Sequence, residues 1–509
     1  MEKKKGLTSF LDRVEKTGNK LPHPVTLFVI LAGVIVVLSA VFTALNVSVT
    51  YNVFDSSTQE IIQNTVIARS LLAADGVRFM FTSVISNFTG FFALGTVFTI
   101  IVAVSVAEGT GLISALMRKI VKVTPGRLVT ATVVFLGVMS NVASSTGYVV
   151  LVPLGAIIFK SFKKHPIAGL AAAFAGVSGG WSANLLIGSN DPLFAGISTQ
   201  AAQFIDVNYT VLATGNWYFM FVSTFLVTII GTWVTEKIVI PRLGEYHDDE
   251  VVLVKDIETN EKRGLRYSLF GLLLVIGLLL FLTVSENAVL NPTGNILTSP
   301  FMSSIIAVMS LVFLIPGLFY GVGAKSIQSD KDLVEVIIKG ISGISSFLVL
   351  VFFAAQFVAY FNYSNLGIIM SVSGANFLQS IGFVGLPLII AFIILTAFIN
   401  LFIAVDSAKW VIMAPIFVPM FMRLGFSPEL SQVVYRIGDS TTNIIAPLMP
   451  FFPLAVAFSQ KYDKKFGIGS LVTTMVPYSI AFLVGWIILF IIWYLLGLPL
   501  GPGAGLFYS

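Results

Sequence analysis

The chain has 509 residues, of which 56% are hydrophobic and only 11% charged, and its mean hydropathy is +0.93. That is far too little polar surface to cover a water-soluble globule of this size, so the sequence reads as a polytopic membrane protein. The net charge of +5 comes from short basic clusters between apolar runs and reports topology rather than nucleic-acid binding, while the absence of cysteine excludes disulfides, thiol nucleophiles and cysteine metal sites.

Cytoplasmic loops are enriched in Lys and Arg, so each polar gap was assigned a side by its basic residues. Residues 1–20 carry Lys3, Lys4, Lys5, Arg13, Lys16 and Lys20 and are expected inside. The following apolar run has no small-residue cleavage site, which makes 21–45 a first spanning helix and not a removable signal. The gap 46–76 carries only Arg69 and is expected outside. A second span, 79–107, interrupted at Asn87-Phe88-Thr89-Gly90, returns the chain to Arg118, Lys119, Lys122 and Arg127. The next apolar segment, 128–159, starts and ends at basic gaps and is too short for two crossings at about 20 residues each. Its polar middle, SNVASSTG, predicts a re-entrant hairpin whose tip is buried in protein.

Residues 167–190 then run outward to a gap, 191–216, with no Lys or Arg, and 217–236 returns to a cytoplasmic loop, 237–266. Spans 267–282, 301–319 and 341–360 follow. Segment 383–422, with Asn400, Asp406, Ser407 and Lys409 near its middle, reads as a second hairpin entering from outside. Spans 429–458 and 470–496 complete the chain and leave an external tail, 498–509. The expected fold is an all-α polytopic membrane protein with nine transmembrane helices plus two re-entrant helical hairpins. Residues 21–236 hold spans 1–4 with the first hairpin (128–159), and 267–497 hold spans 5–9 with the second (383–422).

The order span, hairpin, span, span occurs twice with opposite orientation, in 79–236 and 341–496. Inverted repeats of this kind mark secondary transporters. ASSTGYVVLVPL (143–154) lies ungapped over VDSAKWVIMAPI (405–416), pairing Ser145 with Ser407, Tyr148 with Trp410 and Pro153 with Pro415. SANLLIG (182–188) lies over TTNIIAP (441–447) and pairs Asn184 with Asn443.

The most informative stretch is YRIGDSTTNIIAPLMPFFP, 435–453. Charge at bilayer depth costs about 2.5–3.5 kcal/mol per residue, so such residues face a protein-lined cavity. Broken helices there offer carbonyls to a cation and N–H groups to a carboxylate. Asn141, Ser144, Ser145 and Asn184 supply neutral oxygens in the first half; Ser407, Thr441, Thr442 and Asn443 supply them in the second. Asp191 and Asp439 bring negative charge for Na⁺ or a proton, and Arg436 suits a two-pronged grip on a carboxylate. Blander readings compete. Arg436 and Asp439, three apart on a helix, would neutralise each other; Asp191, at the outer end of its span, would be a solvated carboxylate; Asp406 and Lys409 are favoured as a self-neutralised hairpin tip; and Trp410 is equally a ring platform or a core residue. No Walker A loop, HExxH or GxSxG is present, and His23, His165 and His247 lack metal-ligand spacing, so transport driven by an ion gradient is expected rather than enzymatic work or a bound cofactor.

LPHPVTLF (21–28), NFTGFFALGTV (87–97), GLISALMRK (111–119), HPIAGLAAAFAGVSGGWSANLLIGSNDPL (165–193), SAKW (407–410) and the 435–453 stretch resemble the AbgT family of p-aminobenzoyl-glutamate transporters across most of the chain. The resemblance implies a bacterial inner-membrane protein, usually a homodimer, with nine spans and two hairpins. It also implies import of p-aminobenzoyl-glutamate, a folate breakdown product, or export of sulfonamide drugs, by symport or antiport with Na⁺ or protons. The family's substrate residues match Asp191, Ser407, Trp410, Arg436 and Asp439, with Pro428 and Pro447 shaping the helices; Asn184 matches a position associated with Na⁺. Together with the polar residues above, this makes Asn141, Asn184, Asp439 and Asn443 the candidate ion set. Asp406 and Lys409 add charge at the tip outside the matched pattern. The principal rivals are a Na⁺-coupled dicarboxylate carrier, a structural membrane protein and an intramembrane enzyme.

Overall fold

Long runs of Leu, Ile, Val and Phe have nowhere to satisfy their backbone except within their own helices once water is absent, so the chain is nearly all helical. A computed structural model describes residues 24–508 apart from 56–59, 144–146, 245, 247–257, 285–287, 297–298, 342–343 and 404. The basic N-terminal segment and the candidate ligands Ser144 and Ser145 lie outside the described residues. Five described helices are long and apolar enough to cross a membrane: Pro24–Ala44, Trp217–Leu243, Thr259–Val284, Ile305–Ala324 and Ile468–Leu495. Two further pairs, Leu94–Gly109 with Leu112–Val123 and Leu348–Tyr363 with Leu366–Ser380, are bent by 55° and 68° at short breaks. The interruption expected at Asn87 to Gly90 is the break between Val84–Thr89 and Phe92–Gly109.

The remaining two expected spans are broken, so length does not reveal them. The first runs from Pro166–Phe174 through a wide turn, Ala175–Gly179, and resumes as Asn190–Ala202. The second is Pro428–Asn443 followed by Phe452–Ser459. Both start with proline in the first turn, where its missing N–H leaves no intrahelical bond unmade. The hairpins sit beside them. The arms of the first are Val129–Ser140 and Val152–Ser161; those of the second are Leu386–Asn400 and Asp406–Arg423.

Small residues let the first hairpin dock. A Cβ on Gly169 would lie 2.2 Å from the Gly155 carbonyl oxygen, and one on Gly137 would lie 2.8 Å from the Gly176 Cα. Contacts this close are backbone against backbone, the usual means of helix association in lipid. Gly169→Ala is therefore expected to destabilise the protein by about 1–3 kcal/mol through overpacking. Heating the detergent-purified protein and following its monodisperse fraction measures this, with Gly33→Ala, where a Cβ meets nothing within 4 Å, as the neutral control.

Two features depart from the all-helical expectation. Within the gap 46–76, Ser48–Asp55 pairs antiparallel with Glu60–Ile67, Thr50 opposite Thr65. This ribbon is tied to the core through Arg423, whose guanidinium carbon lies 3.8 Å from the centre of the Tyr51 ring. The C-terminal tail also folds back on the molecule rather than trailing away. Tyr218 and Phe219 donate N–H bonds to the Leu500 carbonyl at 2.9 and 3.2 Å, and Ser427 donates to the Leu506 carbonyl at 3.0 Å. A side chain at Gly501 would collide with the Thr214 carbonyl at 2.1 Å, which explains glycine there.

Candidate functional site

The described residues flanking the two hairpin tips and those of the two broken spans meet at a buried polar centre. In the second half, Asn400 ends the first arm of its hairpin and donates from Nδ2 to the Asp439 carbonyl at 2.8 Å, to Thr442 Oγ1 at 3.0 Å and to Asn443 Oδ1 at 2.8 Å. In the first half, Asn141 ends the first arm and donates from Nδ2 to the Gly180 carbonyl at 3.0 Å. Both bonds span 39 residues. Asn184 and Asn443 each stand four residues after the accepting carbonyl, so the pairing read from sequence is reproduced by an equivalent hydrogen bond in each half. Asn141 Oδ1 is buried and has no partner among the described residues. Asn184 Oδ1 accepts from the Leu186 N–H at 3.1 Å.

The charges pair differently from the helical-spacing reading. Arg436 does not neutralise Asp439: its Nη2 lies 2.7 Å from Asp191 Oδ1, with the two side chains 4% and 3% exposed. Asp191 is thus not a solvated span end. It sits in the first turn of Asn190–Ala202, where its second oxygen accepts the Gly188 N–H at 2.6 Å. Asp439 pairs instead with Lys409, Nζ to Oδ1 2.5 Å, and both are 1% exposed. Lys409 also donates to Asn400 Oδ1, and Asn443 Nδ2 donates to Asp439 Oδ2 at 3.2 Å. The self-neutralised Asp406–Lys409 tip is corrected by the same contacts. Asp406 Oδ2 accepts from Trp181 Nε1 at 2.7 Å and Oδ1 from the Ser407 N–H at 2.6 Å. Helical spacing could offer Arg436 and Lys409 only neighbours on their own helix; the actual partners come from other elements.

Arg436 is the least satisfied member. Its Nε and Nη1 are buried and have no partner among the described residues. Trp410 is a core residue in this conformation. It is fully buried, its ring centre lies 4.4 Å from that of Tyr435, and its Nε1 donates to Ser198 Oγ at 3.0 Å. The aromatic faces at the cavity come from elsewhere. A cavity of about 120 Å³ is lined by Trp181, Val405, Asp406, Asn443, Met449 and Phe451, among others. Tyr148 of the first hairpin stacks on Phe451, with ring centres 4.4 Å apart and planes 7° apart. Asn443 joins this cavity to the Asp439 network. Ser407 is half-buried beside Asp406. Pro428 opens the first helix of the second broken span, and Pro447 lies in the break between its two helices. Asn400, Trp181 and Phe451 were not assigned roles from sequence; the mid-segment position of Asn400 in an apolar run was the one available signal.

The model of the "AbgT putative transporter family" matches residues 9–508. The chain belongs to the AbgT family. Among AbgT relatives, the p-aminobenzoyl-glutamate transport protein of Escherichia coli (strain K12) is 38% identical over 492 residues, covering 96% of this chain and 95% of that one. The crystal structure of the Alcanivorax borkumensis YdaH transporter superposes with a TM-score of 0.88 at 42% identity, covering 94% of this chain and 100% of that one. MtrF of Neisseria gonorrhoeae, described as illuminating a class of antimetabolite efflux pumps, gives 0.91 at 46%, covering 97% of this chain and 100% of that one. The AbgT chain described here is accordingly a multi-pass membrane transporter and not an enzyme.

Proposed function

We propose that this transporter is secondary active and moves p-aminobenzoyl-glutamate or related aromatic carboxylates and sulfonamides across a bacterial inner membrane. The transport is coupled to Na⁺ or protons, and the protein works as a homodimer with its N-terminus in the cytoplasm. The observation that carries the substrate class is Arg436, whose Nη2 forms an ion pair with Asp191 and whose Nε and Nη1 are buried without a hydrogen-bond partner among the described residues. A buried donor left unmatched costs about 1–3 kcal/mol, so a carboxylate that completes the guanidinium is bound with that gain. The cavity beside Asn443, about 120 Å³, is smaller than the roughly 300–1,000 Å³ of ordinary ligand pockets, so it must widen to take the substrate. Movement of the second hairpin against the first broken span enlarges it, and Trp181 and Phe451 then flank an aromatic ring.

Coupling follows from Asp439. A proton on Asp439, or Na⁺ held by Asp439 and Asn443, competes with the Lys409 ammonium for the same carboxylate and frees the hairpin tip. Asn141 Oδ1 of the first hairpin, together with Asn184 in the break of the following span, provides a second and neutral oxygen set suited to a monovalent cation. The efflux reading has its own support in the MtrF similarity. Binding to the detergent-purified protein separates the two. Trp181→Ala is expected to weaken p-aminobenzoyl-glutamate binding roughly tenfold, by loss of about 0.5–1.5 kcal/mol of ring contact plus buried area. Competition by sulfonamides at the same site favours dual use, competition by simple dicarboxylates alone favours the dicarboxylate carrier, and unchanged affinity in Trp181→Ala removes the ring from the cavity.

A further inference from the structure

A second buried carboxyl stands apart from the centre just described. Glu429 lies in the first turn of Pro428–Asn443 and is buried. Tyr209 donates its hydroxyl to Glu429 Oε2 at 2.9 Å, and Asn216 Nδ2 donates to the Glu429 carbonyl at 2.9 Å. From Asn216 the bonding continues without a gap. Gln432 Nε2 donates to Asn216 Oδ1 at 2.8 Å, Ser198 Oγ donates to Gln432 Oε1 at 2.7 Å, and Trp410 Nε1 donates to Ser198 Oγ at 3.0 Å. The contacts therefore run from the Glu429 backbone to the tryptophan packed on Tyr435, one residue from Arg436, while the half-buried Tyr209 holds the Glu429 carboxyl itself.

Resting on the transporter reading above, we propose that Glu429 is a proton-carrying group of the transport cycle, separate from Asp439, and that its protonated form latches residues 203–216 onto Pro428–Asn443 and so positions Trp410. Among the described residues Glu429 makes no ion pair, and Tyr209 is the one titratable group bonded to it. The charged groups on the elements packed around its helix are engaged elsewhere: Arg423 with Tyr51, Asp191 with Arg436, Lys409 with Asp439, and Asp206 with the Asn208 N–H. The helix N-terminus favours a negative charge only slightly, whereas burying a carboxylate without a cation is far more costly. Deprotonation thus requires water at Glu429, which its burial excludes while the latch is closed; Gly215 packs against its Cγ, where a Cβ would lie 2.9 Å away. Opening separates Asn216 from Gln432 and releases the support of Trp410.

The absence of native cysteine makes the latch directly readable. Val211 is buried in the loop, with its N–H donated to Thr199 Oγ1 at 2.9 Å. In purified protein, maleimide labelling of Val211→Cys, normalised to Val207→Cys at a 78% exposed position, is expected to rise with pH by up to about tenfold per unit until the latch is open. In a Glu429→Gln background, which mimics the protonated carboxyl, it is expected to stay low and flat. Tyr209→Phe, which keeps the ring and removes the hydroxyl, serves if Glu429→Gln does not fold and is expected to raise labelling at acidic pH. Labelling independent of pH in the parent, or the same rise in Glu429→Gln, would overturn the proposal. None of these readings needs a substrate, so absence of flux in the parent would count against the proposed substrate and not against the latch.

Discussion

Asp439→Asn is expected to abolish gradient-driven transport and to destabilise the protein by about 3–5 kcal/mol, because it leaves the Lys409 ammonium buried without its counter-charge. The two effects have different origins and come apart in a double variant. Lys409→Met with Asp439→Leu removes both charges, and replacing a buried ion pair by apolar side chains is commonly neutral or stabilising. Thermal stability is therefore expected to return close to the parent value, whereas flux is not, since no carboxylate remains to exchange Lys409 for a proton or Na⁺. A double-mutant cycle on melting temperature and on flux measures both. Recovery of gradient-driven flux in the double variant would show that Asp439 is needed only to hold the tip together.

Arg436→Lys is expected to retain a folded protein and to lose substrate affinity by about 10–100-fold, the equivalent of one charge-assisted hydrogen bond at about 1.5–3 kcal/mol. The ammonium keeps a positive charge against Asp191, so the buried pair survives. What disappears are two fixed donors of the guanidinium, Nε and Nη1, which have no hydrogen-bond partner among the described residues. A point charge does not replace those planar, directed donors. Equilibrium binding of p-aminobenzoyl-glutamate, measured beside the melting temperature, checks this. Unchanged affinity with unchanged stability would reduce Arg436 to a structural partner of Asp191.

Hydropathy and loop charge were sufficient to read a helical membrane protein with hairpins, because both report on segment length and flanking residues. They mark a backbone break only where polar residues visibly interrupt the apolar run, as at 87–90. The segment 167–190 reads as one continuous apolar span, yet the helix stops at Gly179 and restarts at Asn190, which carries Asp191 into the protein interior instead of to its edge. The same limitation hid the pairing. Arg436 and Asp439 stand at helical spacing and read equally as mutual partners or as substrate ligands, but each side chain is matched across elements: Arg436 to Asp191 in the other half and Asp439 to Lys409 on the second hairpin. The pairing of Asn184 with Asn443 was legible because the repeat keeps each four residues after the carbonyl that accepts from the hairpin asparagine. Trp181 and Phe451 were not, since aromatic residues in an apolar chain carry no mark of facing a cavity. The paired strands 48–55 and 60–67 are hidden for a different reason: loop charge reports the side of the membrane and carries no information on strand pairing within a gap.

The most direct test places the purified protein in sealed proteoliposomes and follows radiolabelled p-aminobenzoyl-glutamate under an imposed Na⁺ gradient, an imposed pH gradient, or neither. The expected result is uptake that follows one gradient and vanishes in Asp439→Asn. Flux that ignores both gradients, or that persists in Asp439→Asn, would contradict coupling through the Lys409–Asp439 pair.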